Sequence, residues 1–568
     1  MLRVDAAPTA QQPSTARRLA VLLVLAAALA ATLALAVLSG RPVPLPEADG
    51  ARLPCVSYAP FRRAGDTPFD PTVRIAPAAI EADLRLLATV TDCVRTYGLD
   101  HGLDAVPAVA RRVGLRVVLG AWIGRDATAN ETQLRRALDL AREYRDVVQL
   151  LVVGNEVLLR RELPPAVLAA LLERARRESP VPVAYADVWE FWLRHAPALR
   201  EHVDVVAAHI LPYWEDEPVG NGRAVDHVYA VAARLRQAFG ATPVYVAETG
   251  WPAAGRQRGP AIPGRLEQAR FVRELLARQA GEPLAFNLIE AFDQPWKRDL
   301  EGAMGGAWGL FDAKGVQRVP LAGAVVPDPN WLWPPEAALG AMVVLLAAWW
   351  RRARRDAGMP ATAVALGGGL IGACALWQAL ALPLWSRDGW EWATGIGALA
   401  LSALCGLAAA WRLAGVLHGG ANGPRLGIAA TLGKREAGGP CLLALAQAAL
   451  LFFAAVDVLG LVFDARYRPL PWPGIAAPAL LLLALAWLGD RLPAGARQER
   501  LLAAVCAVGA VLVAVLEGPA NGQALLYAAL LLALAAATGW PHRATPVSTG
   551  LSSANPANNT AGADQRVE

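Results

Sequence analysis

Hydrophobic and polar positions divide the 568-residue chain into two halves of different character. Residues 52–325 carry charges throughout, and their short apolar runs are separated by segments rich in Pro and Gly. From residue 336 to residue 540 the chain is mostly Leu, Ala, Val and Gly, interrupted by short links rich in Arg, Pro or Trp. This contrast predicts a soluble domain followed by a membrane domain.

The soluble half alternates between two periodicities. Apolar residues at i, i+3 and i+4 predict helices, most clearly at 78–89, 131–144, 166–177 and 266–279. Short runs rich in β-branched residues predict eight strands, at 54–57, 93–97, 115–121, 149–156, 181–185, 204–209, 243–248 and 284–290. Eight strands alternating with helices predict an α/β fold, a (β/α)8 TIM barrel, followed by an α-helical multispan membrane domain.

The apolar runs predict eight membrane spans. Residues 19–38 follow Arg17 and Arg18 and can cross a hydrocarbon core, which takes about 20 residues. This run is longer than the core of a cleavable signal peptide, so we expect a retained anchor. Seven more spans are predicted at 336–350, 361–383, 391–411, 440–463, 472–489, 501–517 and 523–540. Around them we expect a cytoplasmic tail at 1–18, a Pro-rich linker at 41–51 and a disordered cytoplasmic tail at 541–568.

Arginine positions give the predicted bundle an orientation. The basic run 351–355 predicts an inner loop, because cytoplasmic loops are enriched in Arg and Lys. Threading onward places Arg425, Lys434, Arg435, Arg491, Arg497 and Arg500 inside, and only Arg387, Arg466 and Arg468 outside. We therefore expect a multi-pass protein of the bacterial inner membrane, with the barrel in the periplasm and both termini cytoplasmic. These loops account for the net charge of +5, so no nucleic-acid partner is expected.

Two of the predicted strands end in glutamate. The fourth strand ends in Asn155 and Glu156, and the seventh ends at Glu248, before Thr-Gly-Trp-Pro. Catalytic groups of (β/α)8 barrels lie at the C-terminal ends of the strands. An isolated glutamate there would more often cap a strand or pair with an arginine. Two together favour a retaining glycosidase, in which one carboxyl is the acid/base and the other is the nucleophile.

The segments VVGNEV and VAETGWP, which contain these glutamates, closely resemble the two signatures of glycoside hydrolase family 17. This family comprises β-1,3-glucanases and β-1,3-glucanosyltransferases, and the resemblance covers residues 54–311. It implies that Glu156 is the acid/base and Glu248 the nucleophile of a double displacement on β-1,3-glucan. Asn155 is placed to hydrogen-bond the sugar 2-OH, a contact that strengthens in the transition state.

The resemblance also bears on the biological setting. Membrane-tethered bacterial relatives are associated with making or remodelling β-1,3/1,6-glucans. Transfer that forms β-1,6 linkages therefore stands beside hydrolysis as an expected activity, and a membrane glucan synthase is a candidate partner besides glucan and the lipid bilayer. The motifs do not separate transfer from hydrolysis, because both pass through the same glycosyl-enzyme intermediate.

Other strand ends supply candidates for sugar binding. Aromatic side chains that could stack on sugar rings, or pack in the barrel wall instead, are Tyr58, Tyr97, Trp122, Tyr213, Trp214 and Trp251. Strand eight leads into Glu290, Trp296 and Lys297, which match a further family element lining the sugar site, although Gln294 stands where many relatives carry Glu. His209, at the end of strand six, fits a hydrogen-bonded strand-end histidine better than a catalytic one.

Cysteine usage leaves one question open. Cys55 and Cys93 fall on neighbouring strands in a compartment that permits disulfides, but bridges across adjacent parallel strands are geometrically awkward. Both outcomes stay open on the sequence. No cysteine pair has metal-ligand spacing and no glycine-rich phosphate loop is present, so we expect neither a metal nor another cofactor.

A function of another class also fits part of the pattern. A multispan glucan transporter or docking protein could carry a barrel that only binds sugar. Loss of either glutamate would favour this alternative, whereas both glutamates are present. The few polar residues within the predicted spans also argue against an obvious translocation path.

Overall fold

A computed structural model describes residues 13–47, 50, 52–63, 65–352, 358–419, 425–432 and 439–539. The strands are β1 Val56–Ser57, β2 Cys93–Arg95, β3 Arg116–Ala121, β4 Val148–Asn155, β5 Val183–Val188, β6 Val205–His209, β7 Val244–Thr249 and β8 Phe286–Leu288. The helices of this half are α2 Pro77–Leu87, α3 Val106–Val113, α4 Ala127–Glu143, α5 Pro165–Glu178, α6 Trp189–Leu199, α7 Ala224–Phe239, α8 Arg265–Gly281 and the short α9 Arg298–Glu301, after α1 Thr15–Ser39. Short 3-10 turns lie at Asp100–Ala105, Arg200–His202, Asn221–Arg223, Pro295–Lys297 and Gly302–Met304.

The eight strands are parallel, pair in chain order and close into a barrel when β8 pairs with β1. The predicted (β/α)8 barrel is therefore confirmed. Strand residues alternate between two cores, as the pleat requires. Val118, Leu150 and Ala207 belong to a core inside the barrel, whereas Val117 and Leu151 join the larger core between the strands and the helices.

Cys55 and Cys93 form a disulfide, which answers the question that the sequence leaves open. They directly precede the paired residues Val56 and Val94 of β1 and β2, and their Cα atoms lie 4.3 Å apart. Both side chains are buried in the core inside the barrel. The bridge thus joins two strands that are already neighbours in the sheet.

Removing this bridge is expected to destabilise the barrel. The cross-link closes a loop of 38 residues, for which loop-closure entropy corresponds to about 4 kcal/mol. The Cys55→Ala/Cys93→Ala double variant should therefore unfold at lower denaturant concentration than the wild type. Addition of a strong reductant during unfolding should bring the wild type to the same midpoint and leave the double variant unchanged. Equal midpoints for both proteins without reductant would contradict the expectation.

The second half is helical. Its helices are α10 Trp333–Arg352, α11 Met359–Trp385, α12 Gly389–His418, the short α13 Ile428–Leu432, α14 Gly439–Phe463, α15 Trp472–Trp487, α16 Arg497–Glu517 and α17 Gly522–Gly539. Each predicted span has a helix, with ends that differ by up to seven residues. Among the residues that the structure describes, six helices, including α1, are long and apolar enough to cross a membrane. The helices at the other two predicted spans are α10, which is not among these six, and α15, which has only 16 residues. This half is therefore compatible with a membrane-spanning region. The predicted tail at 541–568 lies outside the described residues.

The described part of the predicted linker is packed against the barrel. Val43 forms an antiparallel bridge with Val325, through hydrogen bonds of 2.8 and 2.9 Å. The guanidinium of buried Arg273 donates to the carbonyls of Leu45 and Gly323, at 3.0 and 2.6 Å. The described part of the segment between α1 and the barrel is thus held by hydrogen bonds of its backbone.

Candidate active site

The end of β4 departs from regular strand geometry in order to present Glu156. Gly154 has φ +86° and Glu156 has φ +54°, both in the left-handed region. A Cβ at Gly154 would also lie 2.8 Å from a methyl carbon of Val157, so only glycine fits here without a shift. The Glu156 amide donates to the carbonyl of Ala186 on β5 at 2.7 Å, which holds the turned backbone in place.

The strands that carry the other site residues are also irregular. The register between β6 and β7 shifts between Ala208 and His209, so that His209 lies opposite Glu248. A second shift separates Val246 from Thr249 in the pairing of β7 with β8. An extra residue reverses the side to which the following side chains point. Val246 packs in the outer core, and the shift allows Glu248, two residues later, to point towards the site.

Glu156, His209 and Glu248 form a compact cluster. His209 Nδ1 lies 3.1 Å from Glu156 Oε1, and its Nε2 lies 3.5 Å from Glu248 Oε1. One ligand atom from each side chain lies within 4.8 Å of the other two. The Glu156 side chain is 27% exposed and that of Glu248 only 6%. The two carboxyl groups therefore meet at the barrel mouth, with Glu156 closer to solvent.

Glu248 is held as a carboxylate by its surroundings. Burial alone would raise its pKa, but the charges of His209 and Arg95 and a hydrogen bond from Tyr97 outweigh burial and bring the pKa below its usual value. Arg95 Nη1 lies 3.0 Å from Glu248 Oε1, and the Tyr97 hydroxyl donates to the same oxygen at 2.7 Å. An ionised carboxylate is the form that a nucleophile needs.

Arg95 connects the two strand ends that carry Glu156 and Glu248. Its guanidinium is buried and donates to the side-chain oxygen of Asn155 at 2.6 Å and to the carbonyl of Ala247 at 2.8 Å, besides its contact with Glu248. Asn155 directly precedes Glu156. One side chain from β2 thus fixes the ends of β4 and β7 relative to each other.

A lysine and two further carboxylates line the site beyond β8. Lys297 Nζ lies 2.9 and 3.0 Å from the two carboxylate oxygens of Glu290. Burial would lower the pKa of Lys297, but Glu290 and Glu301 raise it above its usual value, so the ammonium stays charged. Burial raises the pKa of Glu301 to about 7, and the charges of Glu156 and Glu248 contribute to this rise.

Three of the predicted aromatic contacts lie where a sugar could reach them. Tyr97 is half-buried and bonded to Glu248. Trp122 is 38% exposed, and the Arg160 guanidinium lies 4.3 Å from the centre of its ring. Trp296 is half-buried and its indole N–H donates to Gln294 at 2.8 Å. Their roles as sugar contacts stay predictions, whereas Gln294 itself is buried and structural.

Tyr58, Tyr213 and Trp251 are fully buried instead. The Tyr58 hydroxyl donates to Asp83 at 3.1 Å. The other two rings contact each other edge to face at 5.7 Å, and their polar atoms donate to backbone carbonyls. The three rings therefore pack in the barrel wall, which is the alternative that the sequence leaves open, and they present no face to a sugar.

The sequence patterns do not predict the positions of two central residues, Arg95 and His209. His209 lies between the two glutamates and does not merely satisfy a strand end. Arg95 carries a charge within a buried three-residue strand and lies two residues before Tyr97, on the same side of the chain. A charge at that position in an apolar run was the available signal, because buried charges are paired.

The two carboxylates and the imidazole of the cluster are close enough together to coordinate a metal ion. The Arg95 guanidinium already contacts the Glu248 oxygen that such an ion would use. A second positive charge at that oxygen is disfavoured by repulsion. The residues present therefore fit acid–base and nucleophilic chemistry better than metal binding.

Replacement of Arg95 by Met should change the pH dependence of activity. Without Arg95, burial should dominate and the pKa of Glu248 should rise, so the acidic limb of kcat/KM should move to higher pH. In the wild type, the pKa of Glu248 is lower in the folded protein than in the unfolded chain. The ionised Glu248 therefore stabilises the fold at pH values above its unfolded-state pKa, and this stabilisation is lost as pH falls through its folded-state pKa. The variant should lose about 3–5 kcal/mol of stability at neutral pH, and less at low pH.

The matched control for this variant is Arg62→Met. Arg62 pairs with Asp83 in the barrel wall, and neither residue contacts the glutamate cluster. Its replacement should lower stability without moving the pH profile. An unchanged acidic limb in Arg95→Met, or equal shifts in the two variants, would contradict the role assigned to Arg95.

The chain is similar to known glycoside hydrolases. Residues 55–309 match the family model of the BtgE/BtgC glycoside hydrolase domain. "Probable beta-glucosidase btgE" of Aspergillus fumigatus is 26% identical over 263 residues, which are 45% of this chain and 45% of that protein. "Glucan 1,3-beta-glucosidase" of Schizosaccharomyces pombe is 29% identical over 233 residues, covering 38% of this chain and 73% of that protein. The chain thus spans about half the length of the Aspergillus relative.

Among solved structures, a β-1,3-glucanosyltransferase of Rhizomucor miehei shares 22% identity with this chain. That likeness covers 48% of this chain and 98% of the other, with a TM-score of 0.42. The family match to residues 55–309 coincides with the barrel and contains both glutamate motifs. The resemblance drawn from those motifs is confirmed by this match to the BtgE/BtgC glycoside hydrolase domain and by the similarity to a glucan 1,3-beta-glucosidase.

Proposed function

We propose that the barrel is a retaining glycosidase or transglycosylase acting on β-1,3-glucan, with Glu248 as nucleophile and Glu156 as acid/base. The observation that carries this proposal is the close approach of the two carboxyl groups, whose nearest ligand atoms lie within 4.8 Å. Retaining enzymes hold the pair about 5 to 5.5 Å apart, whereas inverting enzymes leave room for a water molecule between the groups.

In the first step, the Glu248 carboxylate attacks the anomeric carbon while protonated Glu156 donates its proton to the departing glycosidic oxygen. The bond from the anomeric carbon to that oxygen breaks and an ester to Glu248 forms. The surroundings of the two glutamates suit these roles. Glu248 is buried and its carboxylate form is stabilised by Arg95 and Tyr97, whereas Glu156 reaches towards solvent. Asn155, fixed by Arg95, is placed to bind the neighbouring sugar hydroxyl.

In the second step, the Glu156 carboxylate takes a proton from an acceptor hydroxyl, whose oxygen attacks the anomeric carbon and releases Glu248. Water as acceptor gives hydrolysis, and a sugar hydroxyl gives a longer or branched glucan. The anomeric carbon is inverted twice, so its configuration is retained. His209 contacts Glu156 and lies next to Glu248, so it can orient both carboxyl groups.

The assignment of β-1,3-glucan as substrate rests on the relatives. Their names describe a β-glucosidase, a glucan 1,3-beta-glucosidase and a β-1,3-glucanosyltransferase. We extend this substrate class to the present barrel, and we propose formation of β-1,6 linkages as an outcome when a sugar hydroxyl is the acceptor.

We further place the enzyme in the bacterial inner membrane with its barrel in the periplasm. The apolar helices support membrane insertion. The end of α11 and the segments that follow α14 and α16 contact the barrel. The arginine distribution predicts these same segments on the outer side, so that both termini lie inside.

Product analysis tests the proposal. Full-length protein in detergent would be incubated with β-1,3-gluco-oligosaccharides, and the products would be measured by mass and linkage. Longer products would demonstrate transfer, with linkage analysis reporting any β-1,6 bonds, and only shorter products would demonstrate hydrolysis. Intact oligosaccharides that bind to the protein would overturn the enzyme in favour of a glucan-binding or transport role.

A further inference from the structure

The barrel and the helical half meet through a buried polar junction. Arg256, in the loop after β7, is only 4% exposed and forms an ion pair with Glu517 at the end of α16. The same guanidinium donates at 2.6 Å to the carbonyl of Ala465, in the loop between α14 and α15. A buried charge with these partners fixes both segments against the barrel, since loss of any partner would leave it uncompensated.

Amide side chains strengthen this junction. The backbone N–H of Gln257 donates to the side-chain oxygen of Gln523 at 2.9 Å, and the Gln257 side chain donates to the carbonyl of Ala520 at 2.7 Å. The Asn521 side chain, which is fully buried, donates to the Gln257 carbonyl at 3.0 Å. The loop after β7 is the loop that follows Glu248. The catalytic end of the barrel therefore faces the helical half.

The loop between α14 and α15 also reaches the segment that lines the site. A Cβ at Gly302 would lie 2.2 Å from the carbonyl oxygen of Tyr467, so the two backbones are in close contact. Gly302 directly follows Glu301, whose pKa responds to the charges of both catalytic glutamates. The nearby Arg298 guanidinium donates to the carbonyl of Pro383 in α11. The helical half thus supports one wall of the active site.

Two side chains of that loop extend the aromatic surface of the barrel. Tyr467 contacts Trp214, in the loop after β6, edge to face with ring centres 6.0 Å apart. The Arg466 guanidinium lies 5.6 Å from the centre of the Trp214 ring and 5.9 Å from that of Tyr467. Arg466 is 46% exposed and forms an exposed ion pair with Asp216 at 3.7 Å, and the two rings are partly exposed. We call Trp214, Arg466 and Tyr467 the junction site.

We propose that the junction site binds glucose residues of the acceptor chain, so that the helical half contributes directly to acceptor selection. This inference rests on the proposed function. Aromatic faces stack on the apolar faces of sugar rings, and a guanidinium offers several donors to hydroxyl groups. Acceptor binding beside the glycosyl-enzyme raises the local concentration of sugar hydroxyls and favours transfer over hydrolysis.

The test measures transfer and hydrolysis separately in full-length protein in detergent. A β-1,3-glucopentaose would serve as donor and a β-1,3-glucotriose, at increasing concentration, as acceptor. In the Arg466→Ala/Tyr467→Ala double variant, the acceptor concentration for half-maximal transfer should rise about tenfold, as expected for the loss of roughly 1.4 kcal/mol of binding. Hydrolysis at low acceptor concentration should stay within about twofold of the wild type.

Two controls separate binding from support of the fold. Arg468→Ala removes a charge from the same loop, but the Arg468 side chain pairs with Asp464 and is not the guanidinium that lies against the Trp214 and Tyr467 rings, so acceptor dependence should not change. Tyr467→Phe keeps the ring and should behave as the wild type. An unchanged acceptor dependence in the double variant would overturn the proposal, and so would an equal fall in hydrolysis and transfer.

Binding in the Glu248→Gln background makes the two proposals independently testable. Affinity for β-1,3-glucotriose would be measured with and without the double substitution. If the wild type were inactive, the proposed enzymatic function would be contradicted. An affinity for the triose that is about tenfold lower in the protein that carries the double substitution would still support the junction site. Equal affinities would overturn the junction site even in an active enzyme.

Discussion

The Glu248→Gln variant is expected to lose turnover of β-1,3-gluco-oligosaccharides, with kcat about 10⁴-fold below the wild type or lower. The amide has nearly the same shape as the carboxylate but cannot form the ester intermediate. It also removes the charge that faces the Arg95 guanidinium at 3.0 Å. Substrate binding should persist, so oligosaccharide affinity measured in parallel should stay close to that of the wild type.

Asp293→Asn provides the matched control for this prediction. Asp293 is also a buried carboxylate beyond β8, and it pairs with Arg318 and accepts from the Gly309 amide. Its replacement should lower stability but reduce kcat much less than the change at Glu248. Comparable losses in the two variants would indicate that any buried charge change disrupts the barrel, and would remove the support for Glu248 as nucleophile.

Glu156→Ala is expected to have the second largest effect, and one that depends on the leaving group. With an oligosaccharide, the rate should fall by about 10²- to 10⁴-fold, because no acid protonates the departing oxygen. With an activated aryl β-glucoside, the first step needs no acid and only the second should be slow. Pre-steady-state kinetics should therefore show a burst of released phenol followed by slow turnover.

Added azide distinguishes the roles of the two glutamates. In Glu156→Ala, azide can enter beside the intermediate, replace the acceptor without base assistance and give a β-glycosyl azide. In Glu248→Ala, azide can replace the missing nucleophile and give the α-product. The opposite pattern of anomeric configurations would show that the two roles are exchanged.

Much of the fold followed from local patterns. Eight apolar runs separated by amphipathic segments specified the closed barrel, because each strand is short and each connection buries one helical face. The two glutamates were found because each terminates such a run, at the barrel end where catalytic groups gather. The ends of the strands are predicted less accurately. For example, β5 continues to Val188, beyond its predicted end at residue 185.

The remaining features depend on contacts between distant parts of the chain. Arg95 and Glu248 are 153 residues apart, and no local pattern links them. The register shifts that direct His209 and Glu248 into the site arise from pairing between strands. Likewise, Tyr58 and Trp251 satisfy the sequence criterion for sugar stacking, and only their partners show that they are wall residues.

Trapping of the glycosyl-enzyme would identify the nucleophile by a covalent bond. The wild-type protein would be incubated with a 2-deoxy-2-fluoro β-1,3-glucosyl donor that carries a good leaving group. Intact mass and peptide mapping would then locate the adduct. We expect one sugar esterified to Glu248, and none in the Glu248→Gln variant. An adduct on another carboxylate, such as Glu156 or Glu290, or turnover of the donor with inversion and no adduct, would contradict it.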